Sequence, residues 1–402
     1  MPRLPPALEP LFPVVKRGHR FATRRVGAIS RAISPALGER GVPLHAHPTS
    51  AATAATEPGA VLHEAGPAEH LEREAPLGTP AGLEWWRGVT SYDVPPRFVL
   101  ELPGGQVIGN YSAHLSARGV LDHETSHYFD VEGPREHPIY LRTRLPEPVT
   151  VPGSLVSLAT RATGVNYYHY LMDLLPRWGI LAEAMPGFRP DYLYANTEPR
   201  FGRQLLDLAG LSGIETISPR KHSAVRASRL LVPNITNKAC LAPRWTTEWL
   251  RRTLPPVSAA SGRPTRLYVT RGSAKNSRRV VNEAEVLAVL RPLGFEVVDP
   301  GALSVQEQID TFAAASVVVA PHGAGLTNLV FAPPDVRVLE LFNPSYLNPG
   351  FWAIASNLGA SRYRYLVGSG PAPAAGAPMR AVYGDITVPM DAFRVALEDV
   401  LA

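Results

Sequence analysis

Two polar side chains, four positions apart, have the types and spacing needed for acid–base chemistry. They are His169 and Asp173, in the run NYYHYLMDLLPRW at residues 166–178. Side chains at positions i and i+4 share a face of a helix, so a carboxylate there can orient an imidazole, and an oriented imidazole is one form of general base. The same spacing also suits an ordinary ion pair on a helix surface, and the sequence leaves both interpretations open.

The helix that would carry this pair is predicted by its apolar residues. From a start near Gly164, apolar side chains recur at helical spacing at Tyr168, Leu171, Leu175 and Trp178. Pro176 has no amide hydrogen to donate, so we expect it to end or kink this helix, with Arg177 continuing after the break.

A glycine-rich turn in SVVVAPHGAGLTNLVF, residues 316–331, could bind an anion. Val317–Ala320 predicts a buried strand, and Leu326–Phe331 predicts the helix that follows the turn. Strand, glycine turn and helix direct free backbone N–H groups and the positive end of a helix toward an anionic group. His322 adds a side-chain donor. Alternatively, the glycines of the turn only close the corner between strand and helix.

The second half of the chain alternates strands and helices at short intervals. Strands are predicted at 266–270, 295–298, 317–320 and 337–341, and helices at 282–290, 304–315 and 351–358, the second opened by a capping box of Ser304 and Glu307. This alternation indicates a doubly wound parallel sheet, which binds ligands at the carboxyl ends of its strands. Arg271, His322 and Glu340 fall at or near such ends, and Arg271 opens the basic loop RGSAKNSRR.

Elements before residue 258 indicate another α/β domain. Strands are predicted at 191–196 and 228–232, and helices at 201–209 and 244–254. Residues 258–264, SAASGRP, are predicted to link the domains. We therefore expect a largely irregular, low-complexity, basic N-terminal extension at 1–80, with a short helix at 21–33. A first domain is predicted at 81–257 and a second domain with a C-terminal tail at 258–402.

The run HETSH, residues 123–127, matches the motif of zinc peptidases, in which two histidines one helical turn apart bind the metal and a glutamate activates water. That chemistry requires the segment to be helical. Gly119 precedes it, Gly133 and Pro134 follow it, and the residues between them lack a clear 3.6-residue period, so a polar hairpin or loop is predicted instead. A zinc-dependent hydrolase is kept as the alternative function.

Composition limits the class of protein and its location. The chain has 402 residues and one cysteine, Cys240, which excludes an internal disulfide and indicates a reducing compartment. No run approaches the ~20 apolar residues of a membrane span, so we expect a cytoplasmic protein. The net charge is +5, and the basic N-terminal arm either contacts anionic lipid at the inner membrane surface or is a mobile tail. Basic residues are not interleaved with aromatic ones, so no nucleic-acid partner is expected.

Several of these segments together resemble glycosyltransferase family 61, the group once filed as capsular polysaccharide biosynthesis proteins. The resemblance covers residues 154–367 and rests on NYYH (166–169) through PR (176–177), YVTR (268–271), NE (282–283), EQI (307–309), PHGAGLTN (321–328) and EL (340–341). One departure is Tyr170, at a position where tryptophan is frequent in the family.

The resemblance implies a fold and an activity. The fold is GT-B, two Rossmann-like domains facing a cleft. The activity is inverting, metal-independent transfer of a hexosyl or pentosyl group from a nucleotide sugar, UDP-linked, without a further cofactor. The acceptor is a glycan or lipid-linked glycan in capsular, exopolysaccharide or lipopolysaccharide synthesis. A catalytically inactive sugar-nucleotide-binding protein is a further alternative. The sequence has neither the G-x-S-x-G elbow of esterases nor a G-x-G-x-x-G dinucleotide motif after a strand.

The resemblance also implies roles for residues. It places His169 and Asp173 on the acceptor side as the catalytic candidates, and which of them is the base stays open. Without a metal, basic side chains and backbone donors must neutralise the leaving diphosphate, while Glu340 could accept hydrogen bonds from the ribose hydroxyls. The expected donor-binding residues are Arg271, Lys275, Arg278, Arg279, His322, Gly323, Ala324, Gly325, Leu326, Asn328 and Glu340.

Overall fold

The computed structural model describes residues 12–78, 86, 88–129, 131, 133–257, 262–272, 278–344, 346–360, 362–370 and 384–402, with side chains from residue 21 onward. Lys275 and residues 258–261 of the predicted linker lie outside the described residues. The chain forms two compact units, which do not follow the predicted domain boundaries. The N-terminal unit contains Val14–Glu69 and Val94–Lys238, and the C-terminal unit contains His70–Asp93 and Ala239–Ala402.

The elements are numbered along the chain. The strands are β1 Ala46–His47, β2 Val61–Gly66, β3 Glu69–Glu72, β4 Leu77–Gly78, β5 Ser91–Val94, β6 Arg97–Pro103, β7 Gln106–Ile108, β8 Ala113–Leu115, β9 Leu121–Asp122, β10 Pro148–Ser157, β11 Tyr192–Tyr194, β12 Glu215–Ile217, β13 Ala224–Pro233, β14 Arg266–Val269, β15 Glu296–Val298, β16 Val317–Pro321, β17 Arg337–Phe342 and β18 Tyr363–Val367. The α-helices are α1 Phe12–Ile33, α2 Ser50–Thr56, α3 Tyr167–His169, α4 Leu175–Ala184, α5 Arg200–Leu208, α6 Arg244–Thr253, α7 Glu283–Leu290, α8 Val305–Ala313, α9 Gly350–Asn357 and α10 Met390–Leu401. Short 3₁₀ helices occur at Ser34–Arg40, Pro134–Glu136, Pro138–Leu141, Arg291–Leu293, Pro300–Ala302 and Ala324–Phe331.

The C-terminal unit is built on a parallel sheet. Its six described strands run in the order β15-β14-β16-β17-β18-β4, and every neighbouring pair is parallel. The strand order reverses between β14 and β16, which is the signature of a doubly wound sheet. All five residues of β16 are buried, as expected of a central strand in such a sheet. The predicted parallel sheet and the predicted capping box of Ser304 and Glu307 are therefore confirmed.

A segment from early in the chain completes this sheet. β4 pairs with β18, with Leu77 opposite Arg364. Trp86 is fully buried in the same unit, and its ring centroid lies 5.4 Å from that of Trp352 and 5.4 Å from that of Tyr365. Residues 70–93 thus supply both an edge strand and a core side chain to the unit that was predicted to begin only at residue 258.

The N-terminal unit is built on a mixed sheet. Its ten described strands run in the order β1-β9-β8-β7-β13-β10-β11-β12, with β6 beside β13 and β2 beside β6. Strands β10 to β13 are parallel neighbours, whereas β6 and β7 pair antiparallel with two successive parts of β13. The mixed α/β class is confirmed. The Rossmann-like description fits the parallel part of this sheet and not its antiparallel part.

Residues 12–78, which were predicted to be largely irregular with a short helix at 21–33, contain several regular elements, and α1 covers that predicted helix. A Cβ on Gly27 of α1 would lie 3.3 Å from the Cβ of Tyr140, so this helix packs against the Pro138–Leu141 turn. Thr49 caps α2 by accepting a hydrogen bond from the Ala52 N–H (3.2 Å). β2 joins the sheet through β6. Alanine is the strongest helix former, so the run SAATAAT suits a short capped helix although its composition indicates low complexity.

Candidate functional site

One continuous helical segment carries the candidate base. Asn166 caps it by accepting a hydrogen bond from the Tyr168 N–H (2.9 Å), and α3, a π-helical turn at Tyr170–Leu174 and α4 follow without a break. The Leu175 N–H donates to the Tyr170 carbonyl, five residues back instead of four. Pro176 does not end the helix, because this wider turn just before it accommodates a residue without an N–H.

His169 and Asp173 form a largely buried pair and not a surface ion pair. Nδ1 of His169 lies 2.6 Å from Oδ2 of Asp173, and the side chains are only 14% and 7% exposed. The amide of Asn237 donates from Nδ2 to Oδ1 of Asp173 (2.9 Å) and approaches the hydroxyl of Tyr168 (3.1 Å). Both oxygens of Asp173 are therefore engaged, and Nε2 is the ring nitrogen of His169 left to meet another molecule.

This pair lies at the carboxyl ends of two neighbouring parallel strands. β10 leads to Thr160 and Arg161, and β13 leads to Asn237 and Lys238. Residues from both connections line a small pocket together with Asp173; the other lining residues are His127, Phe129, Thr160, Arg161, Ile235, Asn237 and Lys238. Parallel sheets bind ligands at this edge, and the same rule predicted the site in the second half of the chain.

A buried arginine fixes the helix against those strand ends. Arg177 is 1% exposed; its Nε donates to the carbonyl of Pro233 (2.7 Å) and its Nη1 to the carbonyl of Ala159 (3.1 Å). Burial lowers the pKa of this guanidinium to about 9, and the negative charge of Asp173 opposes that shift. Arg177 therefore positions the helix that carries the candidate base.

Asp173 is the one lining residue of this pocket that the sequence predicted as a site residue, and the residues it missed include His127, Asn237 and Lys238. Burial and the charge of Lys238 lower the pKa of His127 to about 4, so its imidazole is neutral near pH 7. Its Nε2 is buried and has no hydrogen-bond partner among the described residues. The HETSH motif marked His127 as a zinc ligand, a different chemistry. No sequence pattern marked Asn237 or Lys238.

The rest of the HETSH run forms a turn, as predicted, and not the helix that zinc-peptidase chemistry requires. Glu124 accepts a hydrogen bond from the Ser50 N–H (2.8 Å) at the start of α2, and the Ser126 hydroxyl accepts one from the His114 N–H (2.8 Å). Among the described residues, no group of three or more His, Cys, Asp or Glu side chains is arranged to hold a metal ion. Glu124 and Ser126 thus stabilise local structure.

The second candidate site lies where the strand order of the C-terminal sheet reverses. Arg271 follows β14 and His322 follows β16, and these two strands are neighbours. A Cβ on Gly323 would overlap Nη1 of Arg271, and a Cβ on Gly325 would lie 3.1 Å from the Pro300 side chain. The glycines therefore do more than close a corner, because Gly323 makes room for the guanidinium of Arg271 against the turn.

Positive charge is concentrated at this site. Burial and the nearby charge of Arg278 lower the pKa of Arg271 to about 10, which still leaves Arg271 charged at pH 7. The backbone N–H groups of Arg278 and Arg279 both donate to Oδ1 of Asp385 (3.0 and 2.9 Å), which anchors the end of the basic loop. The guanidinium groups of Arg271 and Arg278 are close enough that the charge of Arg278 lowers the pKa of Arg271. Two such neighbouring charges favour the binding of an anionic ligand between them.

His322 is held in a fixed orientation by Glu340. Its Nδ1 lies 2.6 Å from Oε1 of Glu340, and Tyr363 donates its hydroxyl to the other oxygen of that carboxyl group. Burial and the charges of the two arginines lower the pKa of His322 well below its usual value, and burial raises the pKa of Glu340. Glu340 is 0% exposed and both its oxygens are engaged, so it positions His322, and the predicted ribose contact does not fit it.

Other predicted donor-binding residues are buried in the core or lie at the edge of the site. Leu326 and Asn328 are fully buried, and the Asn328 amide donates to Oε1 of Gln308 (2.8 Å) and to the Gly325 carbonyl (3.1 Å). Ala324 and Gly325 are partly exposed at the start of a helix that is 3₁₀ rather than α. The side chain of Arg279 is exposed. The site thus centres on Arg271, Arg278, His322 and the turn at 323–325.

Comparisons with known proteins agree with the resemblance noted in the sequence. Residues 167–339 match the profile of the family described as glycosyltransferase 61. A stretch of 53 residues is 45% identical to beta-1,2-xylosyltransferase RCN11 of Oryza sativa subsp. japonica, covering 13% of this chain and 10% of that protein. A stretch of 99 residues is 34% identical to protein O-linked-mannose beta-1,4-N-acetylglucosaminyltransferase 2 of Tetraodon nigroviridis, covering 23% and 16%. Another, of 98 residues, is 30% identical to beta-1,2-xylosyltransferase of Arabidopsis thaliana, covering 21% and 18%. The chain thus spans between 10% and 18% of the length of these relatives.

Proposed function

We propose that this protein transfers a sugar from a nucleotide donor to a glycan acceptor, with inversion and without a bound metal, because residues 167–339 match the profile of glycosyltransferase family 61. One observation carries the proposal: the matched residues include both the His169–Asp173 pair and the cluster of Arg271 and His322. A base and an anion-binding cluster are the two devices that such a transfer requires. The GT-B pairing of two domains around a cleft stays a prediction.

On the acceptor side, His169 is the proposed base. Nδ1 of His169 is held by Asp173, so Nε2 would take the proton from the acceptor hydroxyl as that oxygen attacks the anomeric carbon. Asp173 is the less suitable base, because Asn237 and His169 occupy its two oxygens. It would orient the ring and stabilise the imidazolium that forms. Attack from the face opposite the leaving diphosphate gives inversion.

On the donor side, the leaving diphosphate would be neutralised by protein groups. Arg271 and Arg278 supply two positive charges, and the turn at 323–325 supplies backbone N–H groups. A neutral imidazole carries one proton, and His322 can donate to the same phosphates when that proton is on Nε2. Nδ1 then accepts a hydrogen bond from the carboxyl group of Glu340, whose raised pKa favours its protonated form. This arrangement supports metal-independent departure of a nucleoside diphosphate.

The names of the relatives bear on the sugar. Two are beta-1,2-xylosyltransferases and one is a beta-1,4-N-acetylglucosaminyltransferase. We therefore propose a pentosyl or hexosyl donor, linked to UDP. A role in capsular, exopolysaccharide or lipopolysaccharide synthesis stays a prediction.

A donor panel tests the proposed function. We expect the full chain to be stabilised against thermal unfolding by one or more UDP-sugars, and to release UDP in the presence of its acceptor with activity unchanged by EDTA. Thermal shift and UDP-release assays measure the two effects. Binding without release under any acceptor would support the inactive binding protein instead. Activity abolished by EDTA and restored by Zn²⁺ or Mn²⁺ would contradict metal independence. No stabilisation by any sugar nucleotide would contradict the whole proposal.

We also propose peripheral contact between α1 and an anionic membrane, at its cytoplasmic face. Within the described part of the chain, no helix is both long and apolar enough to cross a bilayer. α1 instead buries Gly27 and Ser30 against the unit and exposes an apolar face. Exposed fractions are 61% for Phe21, 63% for Ile29 and 43% for Ile33. Arg24 and Arg25 are exposed basic side chains on the same helix and suit anionic headgroups.

Vesicle sedimentation tests this contact. The double variant Phe21→Ser/Ile29→Ser is expected to bind phosphatidylglycerol vesicles at least about tenfold more weakly than the unmodified protein, because it removes two large apolar side chains from the proposed interface. Val149→Ser/Val395→Ser, which alters side chains of similar exposure elsewhere, is the control. Equal vesicle binding by both variants would refute the contact, and loss of a dimer in the first variant would assign this face to a second copy.

A further inference from the structure

A basic pocket of the N-terminal unit is not used by the steps described above. It is lined by Arg40, Arg142, Arg144, Arg161 and Lys221, with Tyr111 and Tyr128 among the other lining residues. Glu147 is the one acidic residue among its described lining residues, so five positive charges face a single negative one. A concave surface lined by one sign of charge concentrates oppositely charged ligands.

These charges have not been neutralised by nearby carboxylates. In the described part of the chain, none of the five basic residues makes an ion pair, whereas Arg226 and Arg229 of the same unit pair with Glu39 (3.1 Å) and Glu101 (2.7 Å). Arg142 is fixed in place, because its Nε donates to the hydroxyl of Tyr111 (2.6 Å) and its guanidinium also contacts the Lys221 carbonyl. The pocket is therefore a preformed cluster of positive charge.

The basic pocket is connected to the candidate base by a line of aromatic rings. The ring centroid of Phe129 lies 5.3 Å from that of His169, and the guanidinium of Arg161 lies 5.9 Å from the Phe129 ring and 4.1 Å from the Tyr128 ring. Tyr128 contacts Tyr111, on which Arg142 stacks. Arg161 belongs to both pockets, so a chain of sugars whose reacting end meets His169 can continue into the basic pocket.

We infer that the basic pocket binds an acidic glycan, so that the acceptor of the proposed transfer carries carboxylate or phosphate groups on the residues behind its reacting end. Aromatic rings pack against the faces of sugar rings, and guanidinium groups bind carboxylate and phosphate through paired hydrogen bonds. A concave site with few exposed apolar side chains suits an oligosaccharide better than a lipid surface. The inference rests on the proposed function, because it names the acceptor class for that same site.

Binding of defined oligosaccharides to the full chain tests the inference. The probes are an oligogalacturonate, its fully methyl-esterified form, a phosphorylated mannan oligosaccharide and the same oligosaccharide after phosphatase treatment. We expect at least one acidic probe to bind, at least about tenfold more tightly than its neutral counterpart, with an affinity that falls as salt rises. The acidic probe that binds identifies the charged group. Equal binding of acidic and neutral forms, or no binding of either acidic probe, would overturn the inference.

A matched pair of variants locates the binding. Arg144→Gln/Lys221→Gln removes two exposed charges from the basic pocket, and Arg200→Gln/Arg203→Gln removes two exposed charges from α5. The first variant is expected to bind the acidic probe at least about fivefold more weakly, and the second to bind it normally. Equal effects of the two variants would overturn the inference. So would loss of phosphatidylglycerol vesicle binding in the first variant with glycan affinity unchanged, since the pocket would then contact lipid.

The same variants separate this inference from the proposed function. Thermal stabilisation by UDP-sugars is measured on both variants. Both are expected to retain it, because all four substituted residues belong to the N-terminal unit. Retained donor binding with no preference for acidic glycans would refute the acceptor class alone. A wild-type chain that binds no sugar nucleotide would refute the proposed function, whatever its affinity for acidic glycans.

Discussion

Replacing His169 with alanine is expected to lower kcat for sugar transfer by about 10²–10⁴-fold while donor affinity changes little. The reason is its position: Nδ1 is fixed by Asp173, the side chain is mostly buried, and Nε2 remains to accept the proton. The loss should appear in kcat because proton removal belongs to the chemical step and not to binding of the nucleotide. Initial rates under saturating donor, together with nucleotide affinity from calorimetry, measure the two quantities separately.

Asp173→Asn provides the matched comparison. An amide keeps the shape of the side chain but cannot stabilise the imidazolium, so we expect a smaller loss of kcat than in His169→Ala. Asn237→Ala, which removes the donor to Oδ1 of Asp173, should show a still milder loss in the same parameter. His70→Ala serves as the control, because His70 is 55% exposed and pairs only with exposed carboxylates.

Two outcomes would change this assignment. A greater loss in Asp173→Asn than in His169→Ala would make Asp173 the base. Near-normal turnover in both variants, with normal folding by circular dichroism, would make the pair structural and place the base elsewhere. His127 would then be the next residue to replace, since its neutral imidazole lines the same pocket as Asp173.

Replacing Arg271 with alanine is expected to weaken binding of a UDP-type ligand by about 10- to 150-fold, or about 1.5–3 kcal/mol, the range for hydrogen bonds to a charged group. Its guanidinium lies against the turn at Gly323 and shares the site with the charge of Arg278. Calorimetric titration of UDP into each purified variant measures the effect. Arg271→Lys should recover part of the affinity, because it restores the charge but not the paired donors.

Gly323→Ala gives an independent measure of the same contact. Its Cβ would occupy the space of the Arg271 guanidinium, so nucleotide affinity should fall although no charge is removed. Arg291→Ala, at an exposed arginine in the 3₁₀ helix Arg291–Leu293, is the matched control and should bind UDP normally. Unchanged nucleotide affinity in Arg271→Ala would remove Arg271 from the donor site.

Sequence reasoning succeeded best in the C-terminal unit, for a physical reason. The strands there are short and separated by helices, and the central ones are buried, so most elements can be recognised from their own residues. RVLEL, for example, predicts a strand at 337–341, and the strand is Arg337–Phe342. Parallel order follows from that alternation alone. The positions of Arg271 and His322 at neighbouring strand ends follow in turn.

Other features depend on partners far away in the sequence. β6 and β7 pair with β13, about 120 residues later, and nothing in their own residues shows that pairing. The ribose role predicted for Glu340 rested on its strand position, which is visible in the sequence, whereas its partners His322 and Tyr363 are not. Asn237 reaches Asp173 only because β13 and β10 are neighbours, a fact of the folded sheet.

The pairing of β4 with β18 has a consequence for the protein during its synthesis. Leu77 leaves the ribosome about 290 residues before its partner Arg364, a delay of roughly 15 to 60 s at ordinary rates of translation. Trp86, whose indole packs beside Trp352 in the core, is synthesised almost as long before that partner. For most of that time residues 77–78 have no strand to pair with, and the large apolar side chain of Trp86 lacks the surface that later buries it. Chaperones bind exposed apolar segments of this kind. We therefore expect residues 77–86 to need chaperone protection for longer than segments synthesised later.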